Sequence, residues 1–191
     1  MKLWTRPISS EIEGFTLVEL MVVMSILAIL SALAAPAARD MIATYQTRSV
    51  TDQMVATLYA ARTESIRRSG NVVMEKMNGT TNPCATNQQW SCGLRLWADV
   101  NRNGAFNAGT DVVLREFDVP TGITLRNMSA GSTANITLNR WGQAAGINAL
   151  CFQVTRTGVA AADRSVRVAA GGRIQVCNSL CADPCPLVNS P

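Results

Sequence analysis

The stretch Gly14-Phe15-Thr16-Leu17-Val18-Glu19-Leu20, continued by the apolar run Met21 to Ala35, sets the reading of this chain. From Phe15 to Ala35 stand 21 residues with one formal charge, Glu19. A helix of about 20 apolar residues crosses the hydrocarbon core of a bilayer, so the segment reads as a membrane span. The charge is the anomaly, because a carboxylate inside a spanning helix costs about 2.5 to 3.5 kcal/mol on insertion scales unless a cation compensates it. No side chain of the span supplies that cation. Cleavage between Gly14 and Phe15 would create one, the new α-amino group of Phe15. An ordinary secretory signal has a basic start, a shorter apolar core and an Ala-x-Ala cut after that core. Here the motif stands before the core.

With 191 residues the chain has room for one anchor and one modest domain. Its formal charge is +4, and Lys2 and Arg6 near the start are offset by Glu11 and Glu13, so the positive-inside rule gives no orientation. After Val119 the balance is uneven: Arg126, Arg140, Arg156, Arg164, Arg167 and Arg173 face only Asp163 and Asp183. Guanidinium forks match phosphate oxygens in pairs, so an arginine-rich half admits nucleic-acid contact, although scattered arginines also serve as a solvated face.

The six cysteines, Cys84, Cys92, Cys151, Cys177, Cys181 and Cys185, all follow the apolar segment. Their even number fits disulfides in an oxidising compartment. There is no histidine, and the spacings match neither paired zinc ligands nor Cys-x-x-Cys, so the reading is of staples, with no metal site and no redox site. The expected pairs are Cys84 with Cys92, and Cys151 with Cys177 or Cys181. Asp99-Val100-Asn101-Arg102-Asn103-Gly104 has the first half of a calcium loop, but position twelve is Thr110, with Asp111 one place late. The competing reading is an Asx-rich turn satisfied by its own backbone.

The fold class is α+β. A helix is expected from Phe15 to about Ser69, ended by Gly70-Asn71, with Pro36 as the place of a kink or local melting. Beyond Pro36 it turns amphipathic, with Ile42, Tyr45, Val50, Met54, Leu58 and Ala61 at mostly helical spacing. At 1.5 Å per residue such a helix makes a rod of about 80 Å, for which assembly into a fibre is the simplest reason. Strands are expected at 72–77, 94–98, 112–117, 123–126, 136–138, 149–156, 165–169 and 173–177, as antiparallel hairpins on the amphipathic half of the helix. The expected domains are a leader over 1–14, the spanning half of the helix over 15–36, its amphipathic half over 37–69 and a stapled β domain over 70–191.

The motif Gly14-Phe15-Thr16-Leu17-Val18-Glu19 resembles the processing signature of type IV pilins and secretion pseudopilins. The stretch Gly93-Leu94-Arg95-Leu96-Trp97-Ala98-Asp99-Val100-Asn101-Arg102-Asn103-Gly104, with Val113-Leu114-Arg115, Pro120-Thr121-Gly122-Ile123 and Gly172-Arg173-Ile174-Gln175-Val176-Cys177, resembles the domain of GspH/FimT-type minor pilins. The resemblance implies a pilin-like fold, with a long N-terminal helix packed on an antiparallel β-sheet domain. It implies Gly14 and Phe15 as the prepilin peptidase site, Phe15 as the N-methylated residue, Glu19 as the assembly contact to a neighbour's amino terminus and Pro36 as the helix kink. In FimT-like competence pilins a Gly-Arg-x-Arg element contributes to DNA binding. Here Gly172 and Arg173 match it and Gln175 replaces its second arginine, so Arg164, Arg167 and Arg173 are the candidate DNA-binding residues.

The implied function is a minor pilin built into a type IV pilus. A DNA-uptake subunit and a minor pseudopilin of type II secretion are the alternatives. The implied partners are other pilins and minor pilins, prepilin peptidase, the inner-membrane assembly platform, membrane lipid before assembly and, on the second reading, DNA. The implied location is the bacterial inner membrane, single-pass with the domain in the periplasm, and then the fibre. No cofactor and no enzyme chemistry are read: the chain has no histidine base, Gly-rich phosphate loop or Gly-x-Ser-x-Gly elbow.

Overall fold

The computed structural model describes residues 15–78, 84–131, 133–146, 149–159 and 162–181, with the side chain at position 36 left aside. The expected leader over 1–14, with Gly14 of the expected processing site, and Cys185 lie outside the described residues. The chain forms two compact units, Met1–Arg39 and Asp40–Pro191. One helix, α1 (Leu17–Arg67), runs without a break through position 36 and contributes to both. In the first unit every described side chain is exposed, including Phe15, Leu17, Met21 and Leu33.

In the second unit α1 buries one face: Ala43, Thr47, Val50, Thr51, Met54, Thr57, Leu58, Ala61 and Ser65. The spacing of three and four is that of a single helical stripe. Val50, Met54, Leu58 and Ala61 stand where the pattern placed them. Ile42 and Tyr45 do not: they are 54% and 74% exposed. The register belongs to Ala43 and Thr47 instead, because threonine can be buried in a helix once its hydroxyl is satisfied. Thr47 Oγ1 donates to the Ala43 carbonyl at 2.9 Å, Thr51 Oγ1 to that of Thr47 at 2.7 Å and Thr57 Oγ1 to that of Gln53 at 2.8 Å.

The helix ends in a Schellman motif. The Gly70 amide donates to the Ser65 carbonyl at 2.7 Å and the Ser69 amide to the Ile66 carbonyl at 3.3 Å. Ser69, not glycine, takes the left-handed position, with φ 58°, and Gly70 and Asn71 follow at φ 100° and 59°.

Among the described residues eight strands follow, each within one residue of its expected bounds: β1 (Val72–Lys76), β2 (Leu94–Ala98), β3 (Val112–Phe117), β4 (Ile123–Asn127), β5 (Asn135–Leu138), β6 (Leu150–Arg156), β7 (Arg164–Val168) and β8 (Ile174–Cys177). They form two antiparallel sheets, ordered β3-β2-β1-β5 and β4-β6-β7-β8. β4 leaves the first sheet to pair with β6, and β5 returns to pair with β1. Alternation within a strand marks its buried face but not its neighbour, which is why hairpin logic did not foresee the exchange. Val72, Met74, Leu96 and Ile136 from the first sheet and Leu125, Phe152, Val154 and Val166 from the second close one core on Val50, Met54 and Leu58. Trp90 lies in it fully buried, edge-on to Phe152 at 5.3 Å.

Disulfides fix the loops. Cys84 pairs with Cys92 and Cys151 with Cys181, and Cys177 is disulfide-bonded as well. The segment next to the first staple docks on β4: the Trp90 amide donates to the Leu125 carbonyl at 2.9 Å, and Ser91 Oγ accepts the Leu125 amide at 3.0 Å.

Arg62 ties the helix to both sheets. It reaches between the turn after β5 and the turn between β7 and β8, donating from Nη1 to the Gly172 carbonyl at 2.8 Å. Gly142, at φ 73°, leaves no room for a side chain: a Cβ there would meet Arg62 Cγ at 2.4 Å. Gln143 Nε2 spans the same two turns by donating to the Ala170 carbonyl at 3.2 Å. Gly142→Ala is expected to lower unfolding stability by about 2 to 4 kcal/mol, from the clash plus the left-handed backbone. In an Arg62→Ala background the same change should cost at least about 1 kcal/mol less, as read by a double-mutant cycle in urea.

Candidate functional site

The first candidate site is the start of α1. Thr16 Oγ1 accepts the Glu19 amide at 3.2 Å, and the Leu20 amide donates to the Thr16 carbonyl at 3.2 Å. Thr16 is therefore the N-cap and Glu19 the third helical residue, the Thr-x-x-Glu spacing of a capping box. A carboxylate in the first turn also lies favourably in the helix dipole. Phe15, 72% exposed, stands immediately before the cap. Farther along, the hydroxyls of Ser25 and Ser31 donate to the carbonyls of Val22 at 2.8 Å and Leu27 at 2.7 Å, leaving no donor unsatisfied on those two side chains. The start of α1 thus presents an apolar helix whose two serine hydroxyls are satisfied within the helix, with one carboxylate near its tip. The capping role of Thr16 was open to view in the sequence, as a threonine three residues before a glutamate at the head of an apolar run.

The arginines Arg164, Arg167 and Arg173 do not make one patch. On β7 Arg164 and Arg167 stand three positions apart, so they point to opposite faces. Arg164 shares the inward side of Val166 and donates from Nη1 to Asn178 Oδ1 at 2.8 Å. Burial holds its pKa below the ordinary arginine value, Arg48 on α1 adds to that and Asp52 opposes it. Arg167 lies on the other side, opposite Cys151 and Gln175 in the register, and lines a groove with Met128, Ser129 and Cys181. Arg173, in the turn before β8, is exposed and sits beside Gly172, which Arg62 holds. The strand period of two separates what the sequence listed together.

Sequence reasoning passed over an exposed pair. Trp141, in the turn after β5, is 66% exposed, with the Arg140 guanidinium 5.6 Å from its ring centroid. The signal was present: a tryptophan between Asn139 and Gly142 belongs to a turn and not to a buried strand.

The segment that resembles half a calcium loop closes on itself. Asp99 accepts the Asn103 and Gly104 amides at 3.2 and 2.8 Å, and Asp111 accepts those of Val100 and Asn107 at 2.9 and 2.7 Å. Phe106 from this loop packs edge-on against Trp97 and under the Arg95 guanidinium. Among the described residues no cluster of three or more His, Cys, Asp or Glu is placed to hold a metal ion.

A family model described as Type II transport protein GspH matches residues 50–172. The chain belongs to the GspH family. A model of the prokaryotic N-terminal methylation motif matches residues 12–35 of this GspH-family chain. The crystal structure of the type IV minor pilin FimU of Pseudomonas aeruginosa has a similar fold, with a TM-score of 0.51 and 20% identity over 68% of this chain and 90% of the chain in that structure. A second crystal form of FimU gives 0.49 and 17% over 68% and 86%. At such identity the likeness speaks for the fold alone. No curated protein matches the chain. The GspH domain, the methylation motif and the fold make this GspH-family chain a type IV pilin-like minor pilin or pseudopilin, a structural subunit with an N-terminal helix suited to membrane anchoring.

Replacing Thr16 by Ala removes the cap at a cost of about 1 kcal/mol. In micelles the Glu19 amide is then expected to exchange hydrogen roughly fivefold faster, while amides beyond Met24 keep their protection.

Proposed function

We propose that the chain is a minor pilin cut after Gly14, methylated at Phe15 and assembled through the apolar half of α1 into a type IV pilus as an initiating, tip or fibre component. The observation that carries this reading is that every described side chain from Phe15 to Ala35 is exposed in the isolated chain while Glu19 sits in the first turn. Such a surface needs either lipid or neighbouring helices around it. Before assembly it lies in the inner membrane, with the domain from residue 70 in the periplasm. At assembly Glu19 meets the amino group of a neighbouring subunit. The partners are other pilins, prepilin peptidase and the assembly platform. A kink at Pro36 accommodates the spanning half within the fibre.

The test is mass spectrometry of the membrane-extracted and fibre-incorporated chain. The mature protein should begin at methylated Phe15, and a start at any other residue overturns the reading. Glu19→Ala should leave the cut intact yet lower incorporation into sheared fibres by about tenfold or more, because the compensating ion pair is lost. Deletion should impair pili while sparing protein export. The opposite result would favour a type II secretion pseudopilin.

A second reading, nucleic-acid capture in DNA uptake, is favoured by a specific observation, the collection of exposed Arg140, Trp141 and Arg173 around Arg62 and Gln143.

A further inference from the structure

Of the described tryptophans, Trp90 and Trp97 are 0% and 1% exposed, whereas Trp141 is 66% exposed. Its backbone is held by a tight turn. Asn139 Oδ1 accepts the amides of Trp141 and Gln143, each at 3.0 Å, and the Asn139 amide donates to the Gln143 carbonyl at 2.9 Å. Arg140 lies over the indole. Through Arg62 and Gln143 the turn ending in Arg173 is fastened alongside. The end of α1 adjoins as well, since a Cβ at Gly70 would lie 3.5 Å from the Arg140 amide nitrogen, which brings Arg67 and Arg68 to the same end.

The local charge is one-sided. Residues 62–71, 139–145 and 169–173 contain a single acid, Glu64. Glu64 already accepts from Arg67 at 2.7 Å and Arg68 at 2.8 Å, and those hydrogen bonds, Arg67's first, hold its carboxyl below the usual carboxylate range. This end therefore keeps a cationic surplus beside one flat aromatic face.

We propose that Arg140 and Trp141, flanked by Arg68 and Arg173, form a binding site for single-stranded nucleic acid. The site rests on the nucleic-acid reading above and gives it a place and a substrate class. An indole face stacks on a base of any sequence, worth roughly 5- to 150-fold in affinity per base. The guanidinium groups take the phosphates on either side. A duplex keeps its bases stacked inside and offers only phosphates. An acidic polypeptide satisfies the arginines and leaves the indole face without a planar partner.

The experiment uses the full chain in neutral detergent micelles and measures anisotropy of labelled oligothymidylate, a duplex of equal length and polyglutamate at two salt concentrations. Oligothymidylate should bind about tenfold tighter than duplex. Trp141→Ala should weaken it about tenfold and Trp141→Phe much less, with thermal stability unchanged because the side chain is exposed. Arg140→Gln should flatten the slope of log affinity on log salt by about 0.7. Equal binding of both nucleic acids, indifferent to Trp141→Ala, overturns this site and leaves the nucleic-acid reading standing. No binding of either at low salt overturns both. Polyglutamate that competes evenly with oligothymidylate, with both weakened by Trp141→Ala, assigns the surface to an acidic protein partner and overturns the proposal.

Discussion

The threonine hydroxyls on the inner face of α1 donate to carbonyls one turn back, and the core depends on that arrangement. A buried hydroxyl without a partner costs on the order of 1–3 kcal/mol, so the helix can turn Thr47, Thr51 and Thr57 inward only because their donors are already used. Small side chains on that face let two sheets close on a single helix. Leu58 and Met54 then serve both sheets at once, beside Met74 and Ile136 from one and Phe152 and Val154 from the other.

Most of the fold was legible in the sequence because strands betray themselves locally. Runs of Val, Ile and Leu bounded by Gly, Pro and Asn placed all eight, and Cys84 and Cys92 lay close enough to suggest their own pairing. What the sequence could not show was partnership. The exchange of β4 and β5 between sheets is decided by which edge buries Leu125 and which buries Ile136, a property of the assembled core. The helix stripe was misread at its start for a related reason: Tyr45 and Ile42 look like core residues by type, yet the register is set downstream by Val50, Met54 and Leu58.

The candidate sites divide along the same line. Thr16 and Glu19 act within one turn of helix, so their relation was written in their spacing. The relation between Arg164 and Arg167 was also written there, since residues three positions apart on a strand face opposite sides, but it could be applied only once β7 was known to include both. Arg62, Gly142 and Gly172 come from three distant segments and no local pattern joins them. The left-handed turns at Gly142 and Gly172 matter less for themselves than for the arginine they admit.

The bond between Cys151 and Cys181 limits how far the β domain can be stretched by a pull on its chain. Their sequence separation is 30 residues and encloses most of β6, all of β7 and β8 and the turns between them. Unravelled, that much chain would add about 100 Å of contour at 3.3 to 3.6 Å per residue. The covalent loop withholds this slack, so a pull that passes through the crosslink finds a stiff link where an unstapled sheet would yield strand by strand.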